Sequence, residues 1–294
     1  MQKIKLIALL VLAPISLRAG ILDDVPDISP QVVTYKTVGA QELKLAIYSP
    51  SEKAASRPAI LFVHGGGWGA GNPGQFAAHG RYFAARGYVA MSVQYRLTSQ
   101  PDVTVFQCIA DVKSCVRWIR QQAGDLGIDP QRIAVAGDSA GGHLAACTGL
   151  IEGLEEPGED TTVSSRANLL VLYNPVIDTT LPDGWDLARL SGKPGQAVAS
   201  RAKEFSPVDH VVAGAPPTLV IHGTADTVTP IEWSERFVAA MKAAGNEVEF
   251  LKLDGAKHAF VLPGWSAENF VRQAVEKTRE FLENHRDSRG RINR

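Results

Sequence analysis

The chain has 294 residues, of which 45% are hydrophobic and 21% charged, and its formal net charge at pH 7 is −1. This is an ordinary globular composition, with enough chain for one large domain. The near-neutral balance gives no reason to expect nucleic acid or an anionic membrane as a partner.

The first 19 residues predict a secretory signal peptide. Lys3 and Lys5 precede a nearly continuous apolar run over residues 6–17, and Ala19 supplies a small residue for cleavage. The run is shorter than the roughly 20 residues that a membrane-spanning helix needs. We therefore expect an exported protein, periplasmic or secreted, without a membrane anchor. Leu17 is not small, which leaves the exact cleavage point open, and a buried N-terminal helix is the alternative.

The segments that follow predict alternating strands and helices. An antiparallel hairpin is predicted over 31–48, where polar and apolar residues alternate around a glycine. Apolar runs predict strands at 58–63, 88–93, 132–136, 169–173, 216–221 and 248–253. Helical spacing is found over 75–86, 103–122, 230–244 and 267–284. This order predicts a single α/β domain over residues 20–294, with a mostly parallel sheet covered by helices on both faces.

Residues 179–214 interrupt the alternation. They lie between two predicted strands and contain several Gly and Pro residues, together with Trp185, Phe205 and His210. A long irregular insertion on the C-terminal side of a parallel sheet, where ligands bind, predicts a small cap over an active site. A plain surface excursion is the alternative.

Three cysteines are present, an odd number. Cys108 and Cys115 fall on one predicted helix, about 10 Å apart along its axis at 1.5 Å per residue, which is too far for a disulfide. We expect Cys108, Cys115 and Cys147 to be buried thiols and not a disulfide framework.

The strongest chemical signal is the segment 137–142, Gly-Asp-Ser-Ala-Gly-Gly. It follows a predicted strand and precedes a helix of small residues, which is the context that gives G-x-S-x-G its meaning. Gly137 and Gly141 have no side chain, so the backbone can pass close on either side of the serine. Ser139 stands at the tip, at a helix N-terminus that favours an anion, and is the candidate nucleophile. We expect the side chain of Asp138 to point away from it.

A serine nucleophile needs a base, and the base needs an orienting group. Asp226 lies just past one late strand and His258 just past the next, in the order Ser, Asp, His. We assign His258 as general base and Asp226 as the carboxylate that orients it. The alternatives are weaker, since Asp254 can cap its own turn and His222 stands at a strand end as a satisfied structural histidine.

Donors for an oxyanion are expected from two places. One is the backbone N–H of Ala140, directly after the nucleophile. The other is the segment His64-Gly65-Gly66-Gly67-Trp68 after the strand at 58–63, where we assign the N–H groups of Gly66 and Gly67. We expect His64 to hold this loop by hydrogen bonds. A plain glycine-rich turn is the alternative.

Trp68, Trp185 and Trp265 can each line the pocket, with packing as the alternative for each, and we take Trp68 and Trp185 as candidate substrate-binding residues. No zinc-ligand spacing is present, and the glycines at 65–67 lack the Lys-Ser/Thr ending of a phosphate loop. We expect neither a metal nor an organic cofactor.

With these motifs the sequence resembles the α/β-hydrolases, and more narrowly the hormone-sensitive-lipase-like esterases with an HGGG oxyanion loop and a GDSAGG elbow. Residues 64–68 and 137–145 are most similar to compact bacterial feruloyl and acetylxylan esterase-like members. The resemblance covers roughly residues 30–285. It implies a serine ester hydrolase that forms an acyl-enzyme, acting on short-chain or carbohydrate-linked (acetyl, feruloyl) esters. Only residues 20–57 precede the first core strand, so the large helical cap of many hormone-sensitive-lipase-like enzymes is missing and a more open site is expected.

Three alternatives remain. An amide hydrolase of the same fold, an arylformamidase or a small peptidase, would use the same triad. A catalytically silent binding protein of this fold would tend to lose a triad member, and this chain retains all three. A long-chain lipase would need a larger apolar lid than 179–214 supplies. The expected partner is a small-molecule or polysaccharide-linked ester, and the oligomeric state is not predicted.

Overall fold

A computed structural model of the chain describes residues 20–23, 25–52, 54–180, 198 and 200–285. The predicted signal peptide, residues 1–19, lies outside the described residues. So does half of the predicted cap, residues 181–197 and 199, including Trp185.

Within the described residues one eight-stranded sheet forms the centre of the fold. Its strands are β1 (Gln31–Val38), β2 (Gln41–Tyr48), β3 (Arg57–Val63), β4 (Val89–Val93), β5 (Ile128–Asp138), β6 (Leu169–Tyr173), β7 (Thr218–Gly223) and β8 (Val248–Leu253). They are arranged in the order β1-β2-β4-β3-β5-β6-β7-β8. The pairs β1–β2 and β2–β4 are antiparallel, and every pair from β4 to β8 is parallel. The predicted α/β architecture, with its antiparallel start, is confirmed.

Six α-helices connect the strands in the described part of the chain. They are α1 (Ala77–Ala84), α2 (Val105–Gln121), α3 (Ala123–Leu126), α4 (Ser139–Leu150), α5 (Ile231–Ala243) and α6 (Glu268–Asn284). Short 3-10 helices are found at Pro73–Phe76, Ala202–Phe205 and Pro207–His210. The start of α2 shows why a helix begins there: Thr104 accepts from the N–H of Phe106, and the side chain of Gln107 accepts from the N–H of Thr104.

The sheet separates two apolar cores. Leu61 and Val63 of β3 pack with residues of α2, α4 and α5, whereas Ile60 and Phe62 pack with residues of α1 and α6. Both faces of the central strands are covered, which explains why their sequences are continuously apolar. Every residue of α4 is buried, and its small side chains let this helix lie close against β5 and β6.

The three cysteine side chains are buried free thiols, as predicted. β5 is longer than the predicted strand 132–136, because its first residue pairs with Arg57. None of the helices in the described residues combines the length and the apolar character that crossing a membrane requires.

Candidate active site

The turn between β5 and α4 holds Ser139 in a left-handed backbone conformation, with φ of 52°. Such a conformation is strained for a residue with a side chain, and it occurs at sites that must present a group sharply. A Cβ atom on Gly141 would lie 2.5 Å from the carbonyl oxygen of His64 and still closer to that of Val63. The elbow therefore fits against the end of β3 only with glycine at 141.

Ser139, His258 and Asp226 form a continuous hydrogen-bonded relay. The Oγ of Ser139 lies 2.9 Å from Nε2 of His258, and Nδ1 of His258 lies 2.7 Å from Oδ2 of Asp226. Because a carboxylate only accepts, Nδ1 carries the proton, which leaves Nε2 free to accept from the serine hydroxyl. The structure thus brings together all three residues assigned to the triad, from the ends of β5, β7 and β8.

The carboxylate of Asp226 is held by more than the histidine. Its Oδ1 accepts from the N–H groups of Val228 at 2.8 Å and Thr229 at 3.0 Å, and its Oδ2 accepts from the Thr229 hydroxyl at 2.9 Å. Burial opposes ionisation of this group, but the contacts with His222 and His258 outweigh it and hold the pKa of Asp226 well below its usual range. Asp226 is therefore a fixed anion facing Nδ1.

His222 and Asp254 lie near this relay without joining it to Ser139. His222 is fully buried, with Nδ1 2.8 Å from the Ser234 hydroxyl and Nε2 2.8 Å from the Thr229 carbonyl oxygen. It is the satisfied histidine that the sequence led us to expect. Asp254 accepts from the Thr224 hydroxyl at 3.1 Å and belongs to its own turn.

The oxyanion loop, residues 64–72, follows β3 directly. Gly66 and Gly67 have φ of 112° and 58°, and the N–H groups of the next turn donate back to the Gly66 carbonyl oxygen. His64 is buried, its ring stacks on Tyr95 with 4.3 Å between centroids, and its carbonyl oxygen accepts from the Tyr95 hydroxyl at 2.9 Å. Burial lowers the pKa of His64 to about 4, so the loop rests on a neutral imidazole.

Ala140 is the second residue of α4. The first N–H groups of a helix have no intrahelical acceptor, so the N–H of Ala140 is available to an anion beside Ser139. The loop at the end of β3 and the elbow at the end of β5 are neighbours, since these two strands are paired. The residues assigned as oxyanion donors therefore lie on adjacent strand ends.

Sequence reasoning missed the role of Asp138. Its Oδ1 accepts from the N–H of Gly65 at 2.8 Å, which joins the elbow to the oxyanion loop. Burial raises the pKa of Asp138 to about 6, against the opposing effects of His258 and of the Gly65 N–H. The G-D-S pattern was the only signal in the sequence for this role, because Gly65, which donates to Asp138, lies 73 positions away.

The candidate substrate-binding residue Trp68 is fully buried in the core. Its indole Nε1 donates to Nδ1 of His143 at 3.2 Å, and Nε2 of His143 lies 2.7 Å from the carbonyl oxygen of Phe205. A ring without solvent contact cannot line an open pocket, so the prediction of Trp68 as a substrate-binding residue is corrected. Trp185 lies outside the described residues, and Trp265 is 71% exposed.

In the described part of the chain, no group of three or more His, Cys, Asp or Glu side chains is arranged to hold a metal ion. The elbow itself presents the serine hydroxyl, the imidazole, the carboxylate and the backbone N–H groups.

Residues 45–241 match the family model described as BD-FAE. The chain belongs to the BD-FAE family. Among curated proteins, this BD-FAE chain is 35% identical over 222 residues to Esterase LipC of Mycobacterium tuberculosis, covering 70% of the chain and 53% of LipC. It is 30% identical over 258 residues to the acylamino-acid-releasing enzyme of Arabidopsis thaliana, covering 81% of the chain and 32% of that enzyme. The chain spans about half the length of LipC and the next curated relatives that it matches.

Among solved structures, the chain is similar over nearly its whole length to esterase 2 of Thermogutta terrifontis. The apo form has a TM-score of 0.81 and 43% identity, covering 89% of this chain and 97% of that one. The form phosphorylated by paraoxon has a TM-score of 0.80 and 42% identity, covering 88% and 95%. These similarities confirm the fold and the resemblance to α/β-hydrolase esterases.

Proposed function

We propose that this chain is a serine hydrolase of carboxylic esters that acts through an acyl-enzyme on Ser139. The observation that carries the proposal is the relay from Ser139 Oγ through His258 to Asp226, with contacts of 2.9 and 2.7 Å. The esterase relatives in sequence and in structure support the same reaction.

The geometry supports a two-step acyl transfer. His258 Nε2 takes the hydroxyl proton as Ser139 Oγ bonds to the ester carbonyl carbon, and the carbonyl oxygen becomes an oxyanion. The N–H groups of Gly66, Gly67 and Ala140 stabilise that charge. The imidazolium then gives its proton to the leaving alkoxide as the ester C–O bond breaks. Water then attacks the acyl-enzyme in the same way, with His258 as the base, and releases the acid and free Ser139. Asp226 stays ionised throughout.

For the substrate, we infer short-chain or carbohydrate-linked esters, such as acetyl and feruloyl esters. Thermogutta terrifontis esterase 2 has been solved with propionate and with butyrate bound, which supports short acyl groups. The inference of a carbohydrate-linked ester rests on the resemblance of residues 64–68 and 137–145 to feruloyl and acetylxylan esterase-like proteins.

The second candidate is an amide hydrolase that uses the same residues. The similarity to the acylamino-acid-releasing enzyme favours it, although this chain spans only 32% of that enzyme. Paired substrates with the same acyl group, a p-nitrophenyl ester and a p-nitroanilide, separate the two. A larger kcat/KM for the p-nitroanilide would show that amide hydrolysis, and not ester hydrolysis, is the main reaction.

The proposal is tested with p-nitrophenyl esters from acetate to palmitate, with wild type and Ser139→Ala. We expect the highest kcat/KM on the short esters and a loss of about 10⁴-fold or more in kcat for the variant. Equal rates for both proteins would show that Ser139 is not the nucleophile. Highest activity on palmitate, rising at an oil–water interface, would indicate a lipase instead.

We further propose that the protein is exported and cleaved after Ala19. Gly20 donates its N–H to Asp23 at 2.9 Å, Ile21 donates to Glu268 at 2.6 Å, and Leu22 is buried. Hydrolysis of the Ala19–Gly20 bond would put a new α-ammonium group beside the carboxylates of Asp23 and Glu268, which supports cleavage at this position. The intact mass of protein from a periplasmic or culture fraction tests this. A mass that retains residues 1–19 would contradict it.

A further inference from the structure

The oxyanion loop is fastened to the elbow and its helix on both sides of the assigned donors. Ahead of them, the N–H of Gly65 donates to Asp138 at 2.8 Å, and after them, the indole of Trp68 donates to His143 at 3.2 Å. Gly66 and Gly67 lie between these two contacts. Asp138 directly precedes Ser139, and His143 lies one turn along α4. Both contacts therefore fix the position of the oxyanion loop relative to the nucleophile.

Both contacts are made out of reach of solvent. Asp138 is 2% exposed, and Trp68 and His143 are fully buried. Removal of one acceptor there takes away the hydrogen-bond partner of a buried donor. Asp138 is the N-cap of α4, yet its side chain makes no capping hydrogen bond and binds the loop instead.

The carbonyl of Phe205 fixes which nitrogen of His143 faces the loop. Nε2 lies 2.7 Å from this oxygen, which can only accept, so Nε2 carries the proton and Nδ1 is the acceptor for Trp68. Burial lowers the pKa of His143 to about 4, which keeps the ring neutral near pH 7. Histidine is suited to this position because one rigid ring accepts on one side and donates on the other.

We propose that Asp138 and His143 are positioning residues that hold the Gly66 and Gly67 N–H groups at a fixed place relative to Ser139. The inference rests on the proposed ester hydrolysis. Oxyanion donors act on charge that develops in the transition state and not on the substrate carbonyl. Displacement of the loop therefore lowers kcat and changes KM little.

Substitutions test each contact separately. Asp138→Ala and His143→Leu remove the acceptors, whereas Asp138→Asn and His143→Asn keep an oxygen acceptor near the same place. On p-nitrophenyl butyrate, we expect kcat to fall roughly 10- to 100-fold in Asp138→Ala and in His143→Leu, with KM within about threefold, since loss of a whole donor costs about 10²–10³. The two Asn variants should recover most of that loss. His143→Gln, whose amide lies nearer to Nε2, should behave like His143→Leu.

Val116→Ala is the matched control for a loss of core packing. Val116 is fully buried in α2 and takes no part in the elbow or the loop. Its truncation lowers the unfolding midpoint through a cavity, and kcat should stay within about twofold of wild type. The proposal is overturned if this control loses as much kcat as Asp138→Ala, if the loss appears in KM, or if the Asn variants show no recovery.

Amide hydrogen exchange measures the loop position without any substrate. The N–H groups of Gly69 and Ala70 report on the loop, because both donate to the Gly66 carbonyl oxygen. We expect faster exchange at these two amides in His143→Leu and Asp138→Ala than in wild type, and no change in Val116→Ala. Unchanged exchange at both amides would overturn the proposal. If exchange rises as expected but the wild type hydrolyses no ester, the proposed function fails and the positioning role stands.

Discussion

Gly141→Ala should disturb stability and catalysis together, because position 141 has no room for a methyl group. The added Cβ would lie 2.5 Å from the His64 carbonyl oxygen and nearer still to that of Val63. Both atoms belong to the backbone, one at the end of β3 and one at the start of the oxyanion loop, so neither can rotate away. A Cβ needs about 3 Å from such an oxygen, and the elbow must therefore retreat from β3 by about half an ångström or more.

Overpacking of this kind costs about 1–3 kcal/mol. At about 2–4 °C per kcal/mol for a domain near this size, the midpoint of thermal unfolding should fall by roughly 2–12 °C. The retreat also moves Ser139 relative to the oxyanion loop. Since a misplacement of about 1 Å can cost 10²-fold in rate, we expect kcat on p-nitrophenyl butyrate to fall at least about tenfold.

Gly124→Ala is the control. Gly124 lies in α3, a Cβ there would meet nothing within 4 Å, and its φ is not positive. This substitution should leave kcat unchanged and stabilise the fold by about 0.5–1 kcal/mol. A Gly141→Ala protein with the wild-type unfolding temperature and the wild-type kcat would refute the steric reasoning.

Two further predictions concern Asp226. Asp226→Asn should lower kcat by about 10⁴-fold, because an amide at this position favours the histidine tautomer with its proton on Nε2, which then cannot accept from Ser139. Single-turnover kinetics on p-nitrophenyl acetate would measure this. A loss below tenfold would count against the triad assignment. Because the pKa of Asp226 is depressed in the folded protein, its ionised form contributes stability above the unfolded-state pKa of about 3.9, and this contribution is lost as the pH falls through the folded value. Urea titrations should therefore show an advantage of wild type over Asp226→Asn that is constant near pH 7 and shrinks below about pH 4, whereas a pH-independent difference would contradict the linkage.

Much of the fold could be predicted because its signals are local. The continuous apolar runs followed from burial on both faces of the sheet, and the elbow could be located from a strand, a glycine-flanked serine and a helix of small residues. The assignment of Asp226 and His258 needed only the rule that functional side chains follow strand ends in a set order. Each of these inferences uses neighbouring residues or chain order.

The contacts around the oxyanion loop could not be predicted, because they join distant parts of the sequence. Gly65 meets Asp138 across 73 positions, and His143 meets Phe205 across 62. A tryptophan beside a glycine-rich loop has the same sequence pattern whether it lies in a cleft or in the core, and only packing decided that Trp68 is buried. The short α3 left no periodic signal, since four residues are a single turn.

The pairing of β3 with β5 aligns Val63 with Gly137, so the oxyanion loop and the elbow leave the sheet from neighbouring ladder positions. Adjacent strands are about 4.8 Å apart, a spacing that backbone hydrogen bonds set in every sheet. The separation of the two strand ends from which the oxyanion loop and the elbow start is thus set by the main chain, and Asp138 and His143 hold the loop beyond that point. Substitutions on the exposed faces of α5 and α6 leave this pairing and these contacts unchanged, so stabilising changes there should cost less activity than changes at the elbow.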